Sequence, residues 1–186
     1  MEPGVKTMRK RAKSRRSRIS RSVLTLCALF LACAAPQARA ADPGDVAIAK
    51  ELMNTCQAHI GDRRSAEKAF RSMGTRTVNH NANFRSATAN AGRVFISSGV
   101  TRNWIGCIVV VEDMGRSEAT KLATPWVERI NGISDKPRNG ASTWTGAYGG
   151  KLARVEIGSI SNPVITGTGI TFEVNKRLKP NTKESQ

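Results

Sequence analysis

The chain has 186 residues, with 30 Lys or Arg against 14 Asp or Glu, a formal charge of +16 and a pI near 10.7, a balance that at first reads as a nucleic-acid binder. Residues 1–40 hold ten Lys or Arg and one Glu, so +9 of that charge lies in the first 40 residues and +7 in the other 146. A moderately basic body remains, which removes nucleic acid from the expected partners, and 146 residues fit one domain burying roughly two-thirds of its unfolded surface.

In chain order the first element is a leader. The basic stretch MRKRAKSRRSRIS precedes an apolar run, Val23 to Ala35, of 13 residues broken only by Thr25. A helix needs about 20 apolar residues to cross a bilayer, so no transmembrane span is expected after processing. Pro36 ends the run, and Ala38-Arg39-Ala40 sets small residues where a signal peptidase reads them, so residues 1–40 are predicted to be a cleavable secretory signal peptide. Two variants of this reading rest on weaker matches. Ser14 to Ser20 resembles a twin-arginine export signal, with Arg18 and Ser20 in place of the usual Phe and Lys. Phe30-Leu31-Ala32 before Cys33 resembles a lipobox only loosely.

Residues 41–175 are expected to form a single domain. Asp45 is the expected cap of a helix from Val46 to about Ile60, whose stripe is Ala49, Leu52, Met53, Cys56 and Ile60, and Gly61 stops it. Ser65 would cap a second helix with Ala66, Ala69, Phe70 and Met73 inward and Gly74 at its end, giving a helical hairpin. Thr75 to Ala91 is rich in Asn, Thr, Ser and Arg, with Val78 and Phe84 its only large apolar residues, and reads as a loop or irregular edge segment. Arg93 to Ser98 reads as a strand turned by Gly99. Trp104 to Val111, apolar on both alternating faces, reads as a central strand covered on both sides.

A third helix, Ser117 to Asn131, carries Ala119, Leu122, Ala123, Trp126, Val127 and Ile130 inward, with a kink or restart at Pro125 capped by Thr124. Gly149-Gly150 can take the positive dihedrals of a two-residue turn between strands at Thr143 to Tyr148 and Leu152 to Ile157, the second with Ala153, Val155 and Ile157 inward. Gly169 to Val174 ends the series, with Ile170, Phe172 and Val174 on one face and Thr171 and Glu173 on the other. Residues 176–186 are predicted to be a disordered basic tail. The order predicts an α+β fold: a mostly antiparallel sheet with the helical hairpin and one further helix packed on it.

Two cysteines survive cleavage, Cys56 and Cys107, and in an oxidising compartment their simplest state is a disulfide. That bond would exclude the two other chemistries open to them, a Cys56–His59 nucleophile pair and a zinc set of Cys56, His59, His80 and Cys107. Glu112, Asp113 and Glu118 lie at element ends where capping and solvation explain them. Of the glycine-rich segments, Gly158 to Gly169 is the better candidate for a ligand loop, its plainer reading being a surface connection. Arg76, Arg85, Arg93 and Arg102 flank the long polar segment, and Phe84 and Trp104 lie near them as stacking surfaces, so these arginines are the candidate anion-binding residues.

The sequence therefore predicts a small envelope protein, periplasmic or secreted, without cofactor or metal. It would act non-catalytically by binding a small ligand or another envelope protein. Two alternatives stand beside it: a binder of anionic lipid or glycan through the basic face, and a hydrolase-like enzyme working at the strand ends. The leader makes the first prediction. The mature N-terminus should be Ala41, and an intact mass that retains Val23 to Ala35 would overturn both the export reading and the charge correction.

Overall fold

The structure is a computed structural model and describes residues 40–137 and 139–178; the predicted signal peptide up to residue 39, with Cys33, and the tail from residue 179 lie outside the described residues. Helices α1 (Pro43–Ala58) and α2 (Arg63–Ser72) form the predicted hairpin, followed by strands β1 (Arg76–His80), β2 (Phe84–Ala89), β3 (Val94–Val100) and β4 (Trp104–Val111). Helix α3 (Arg116–Arg129) then leads to β5 (Ile133–Ser134), β6 (Ser142–Tyr148), β7 (Lys151–Ser161) and β8 (Thr166–Asn175). The eight strands form one sheet in the order β1-β2-β3-β4-β8-β7-β6-β5, and every neighbouring pair is antiparallel. The fold is α+β: two four-stranded meanders meet side by side at β4 and β8.

All three helices cover the same face. Cys107 and Phe172 are register partners on β4 and β8, so their side chains leave the sheet in the same direction. Cys107 bonds to Cys56 of α1, with 6.1 Å between the Cα atoms, and Phe172 packs against Trp126 of α3, ring centroids 5.1 Å apart. Tyr148 meets the same Phe172 edge-on at 5.4 Å. Around this pair the core gathers Leu52, Met53 and Phe70 from the hairpin, Val94 and Ile96 from β3, Val109 and Val111 from β4, and Ala153, Val155, Ile157, Ile170 and Val174 from β7 and β8. Arg129, in the last turn of α3, donates to Gln57 Oε1 of α1 and ties the two helices together.

Local chemistry moves several boundaries from their expected places. Asp42, rather than Asp45, caps α1, its Oδ1 accepting from the Gly44 amide at 2.7 Å, because Pro43 fits the first helical position where no donor is needed. Asp45 is instead buried in the first turn, where it accepts from Asn90 Nδ2 and, at 2.8 Å, from Arg93 Nε. Asp62, rather than Ser65, caps α2. Hydrogen bonds from the Ser65 hydroxyl and amide hold its carboxyl below the ordinary 3.8, so its support for the helix is present above that value and is lost as pH falls through the lowered one. Helix α3 runs through Pro125 without restarting, and the Thr124 hydroxyl, instead of capping, donates back to the Thr120 carbonyl at 2.9 Å.

The segment read as a loop or irregular edge segment, Thr75 to Ala91, takes the second form: it holds the edge hairpin β1–β2, with a bulge between Thr77 and Asn79. Helix α2 meets this edge through Glu67 with Arg85 and Arg71 with Thr77 as well as through buried Phe70 and Ala87, so the usual apolar alternation is missing. Gly99 lies inside β3 rather than at a turn. Gly149 and Gly150 take φ of 56° and 71° and turn β6 into β7 as predicted. Lys176 to Leu178, assigned to the tail, are hydrogen-bonded to the body: Lys176 donates to the Asn103 carbonyl at 2.7 Å, and the Leu152 amide donates to the Leu178 carbonyl at 2.9 Å.

The disulfide spans 51 residues of sequence, and closing a loop of that size contributes about 4 kcal/mol in the chain-entropy model. Reduction of the processed protein should therefore lower its urea midpoint markedly. Thiol titration of the unfolded, unreduced protein should find essentially no free thiol, and two would contradict the bond.

Candidate functional site

The face of the sheet opposite the helices is where the structure departs most from a sheet covered on both sides. Strand register sorts its side chains into rows. One row crosses Phe84, Gly99, Gly106, Glu173, Arg154 and Thr145; the next crosses Ser86, Ser97, Ile108, Thr171, Glu156 and Thr143. A third includes Phe95, Val110, Gly169 and Gly158. The first two rows are apolar or small on β2–β4 and charged or hydroxylated on β6–β8.

Three rims turn this face into a basin. At one end the turn after β7 folds back: Asn162 Oδ1 accepts from the amides of Val164 (2.8 Å) and Ile165 (3.0 Å), and Ile165 packs with Phe95, Val110, Ile108 and Ile160 in a small apolar cluster. Along the β6 side lie residues 135–137 and 139–141, held by Thr145 Oγ1 donating to Asp135 at 2.6 Å and by Arg116 donating to the Gly140 carbonyl. Phe84 closes the β2 side and Trp104 stands near the middle. The larger cavity, about 810 Å³, lies over Arg154, Glu156, Thr143, Thr145 and Thr171 with Trp104 at its border. A smaller one of about 210 Å³ lies between Phe84 and Trp104 over Gly99, Gly106 and Ile108, and Thr171 borders both. The larger volume is in the range of small-molecule sites.

Arg154 organises the charged half. Its Nη2 meets Glu173 Oε2 at 2.6 Å, its Cζ stacks 5.4 Å from the Trp104 ring centroid, and Glu156 Oε2 stands 4.0 Å from its Nε. The ion pair is partly exposed, so its net contribution is about 1 kcal/mol or less, but with the cation–π contact it fixes the guanidinium in one place. Among the described residues, Arg116, Lys136 and Arg154 line the basin together with Asp135, Glu156 and Glu173.

The predicted arginines are dispersed. Arg93 precedes β3 and Arg102 follows it, so a whole strand separates them, and Arg93 is engaged by Asp45, which raises its already high pKa further. Arg85 lies under α2, 2.9 Å from Glu67, and donates to the carbonyls of Asn81 and, at 3.1 Å, Phe84. Arg76 on the edge strand and Arg102 in the β3–β4 turn are exposed. The disulfide occupies both sulfurs, so neither a Cys56 nucleophile nor a zinc set containing Cys56 and Cys107 forms. Most of Gly158 to Gly169 belongs to strands, and Gly158 faces Gly169 in register.

Phe84 and Trp104 do line one cavity, and the charged side chain stacked on Trp104 is Arg154 from β7, which sequence reasoning had passed over. The usable signal was the alternation on β7 and β8, which sends Arg154, Glu156, Thr171 and Glu173 to a common side; alone it also describes a solvated face. In comparisons with protein-family models, curated proteins and solved structures, the chain matches none.

The two facing glycines of the trough differ in tolerance. A Cβ at Gly106 would lie 2.5 Å from the Phe172 carbonyl oxygen, a backbone atom, whereas one at Gly99 would meet the Phe84 ring at 2.6 Å, a side chain able to swing outward. Gly106→Ala should cost about 1–3 kcal/mol in urea unfolding, and Gly99→Ala should stay within about 0.5 kcal/mol of the parent. Equal costs would mean that Phe84 is as fixed as backbone.

Proposed function

We propose that the chain is an exported protein, periplasmic or secreted, that binds a ligand without catalysis in the basin on the helix-free face of its sheet. The observation that carries this reading is the one-sided layering: the helices cover one face, while the other has rims and a floor around an 810 Å³ cavity. Export is supported by the leader's signal pattern together with the Cys56–Cys107 bond, since disulfides persist mainly in oxidising compartments. Among the described residues no helix is long and apolar enough to cross a membrane.

The chemistry at the basin favours binding over hydrolysis. Glu156 and Glu173 both lie beside the Arg154 guanidinium, Asp135 accepts from the Thr145 hydroxyl at the rim, and Cys56 is bonded, so the hydrolase alternative has no paired nucleophile and base among the described basin groups. Anion binding by Arg76, Arg85, Arg93 and Arg102 would fall to Arg76 and Arg102, since the other two already face carboxylates.

The test is amide mapping by NMR. The low-molecular-weight fraction of the producing cell's medium, titrated into labelled protein, should shift the amides of Trp104, Thr143 and Thr171 and leave α1 and α2 unmoved. Shifts confined to the helix side, or none, would sink the reading.

A further inference from the structure

We infer that the ligand is a glycoside, a neutral sugar head carrying an apolar aglycone; this rests on the basin being a binding site and names what it takes. The head is argued from the row Thr171, Glu156, Thr143, which lies on three adjacent strands about 4.7–4.9 Å apart. Among the described residues, the hydroxyls of Thr171 and Thr143 and the carboxylate of Glu156 make no hydrogen bond, and Arg154 Nε is a buried donor without one. Hydroxyl, carboxylate, hydroxyl and guanidinium side by side offer both donors and acceptors to a ring of hydroxyl groups.

Charge narrows the choice. The floor holds both signs, with Glu156 and Glu173 beside the Arg154 guanidinium. A phosphate or carboxylate head would approach Glu156 and Glu173, and an ammonium head would approach Arg154, so each charged class meets a like charge at the floor. A neutral polyhydroxylated head meets none.

The aglycone is argued from the trough. Phe84, 39% exposed, Trp104 and Ile108 line it, with the Phe84 ring lying on Gly99 and the Glu173 side chain beside Gly106. Its 210 Å³ holds about seven methylene-sized groups at ~30 Å³ each. Trp104 and Thr171 border both cavities, so the two adjoin and one ligand can reach from one into the other.

The test is calorimetric titration of the protein with butyl, hexyl and octyl β-D-glucosides, their galacto and manno counterparts, octyl phosphate and octylammonium, all below micelle formation. At least one sugar series should bind one to one, with affinity rising about threefold per methylene. The two charged amphiphiles should bind at least tenfold more weakly. Thr171→Val should weaken the glycoside about fivefold and leave the chain-length slope alone, while Phe84→Ala should flatten the slope; both positions are surface-accessible, and near-UV circular dichroism checks their folding. A charged head that binds as tightly as the sugars, or no saturable binding by any glycoside, overturns the inference. If the medium fraction still shifts the Trp104 and Thr171 amides while the glycosides fail, the ligand class falls and the binding site stands. If neither acts, both fall.

Discussion

The β4–β8 seam is the constraint on which the molecule depends. Each meander pairs its own strands, but only this ladder, Trp104 against Asn175 through Val111 against Thr168, joins one meander to the other. The pair at its middle, Cys107 and Phe172, then commits the helix layer: one takes α1 by a covalent bond and the other takes α3 through the Trp126 ring. A slip of one residue in β4 would turn Cys107 away from Cys56 and bring Gly106 and Ile108 into the core, an outcome the pleat makes all-or-none. The disulfide thus fixes register as well as limiting the unfolded chain.

The same ladder builds the basin. Gly106 opposite Glu173 and Ile108 opposite Thr171 are the alternate positions of that register, facing away from the helices. Trp104 comes from the first meander and Arg154 from the second, and their stacking exists only when the seam is formed. A recognition surface made this way needs no loop to order it. Its floor is strand backbone, the most rigid support a sheet provides, and its described connecting residues are 135–137, 139–141 and 162–165.

How much of this was legible in the sequence follows from what each pattern measures. Strong apolar periodicity located α1, α3, β4 and the inward faces of β7 and β8, and the even count of mature cysteines with one on each core stripe located the disulfide. The edge hairpin was legible only as one of two alternatives, a loop or an irregular edge segment, because an edge of Ala, Ser and Thr has the composition of a loop and its strand character comes from pairing with β3. Capping failed by position in both helices of the hairpin: Asp42 and Asp62 compete with Asp45 and Ser65, and proline geometry or a reciprocal hydrogen bond decides the contest. The doubly apolar β4 was read as covered on both sides, whereas its second face is half-exposed at Trp104, Gly106 and Ile108. Sequence alternation distinguishes inside from outside; it does not distinguish water from a ligand on the outside. The arginine that matters, Arg154, lies in the most regular strand and gave no local signal, because its partners Trp104 and Glu173 are remote in sequence.

Stability and recognition are therefore divided between the two faces of one sheet. Nearly all the large buried side chains lie on the helix side, where removing one costs about 2–5 kcal/mol, so that face tolerates little change. The open face holds threonines, glutamates and one stacked arginine, whose individual contributions to folding are about 1 kcal/mol or less, so its residues are free to be chosen for what they touch. Phe84 and Trp104 on this face are held by single contacts, the Phe84 ring lying on Gly99 and the Trp104 ring under the Arg154 guanidinium, and neither is locked by the helix-side core.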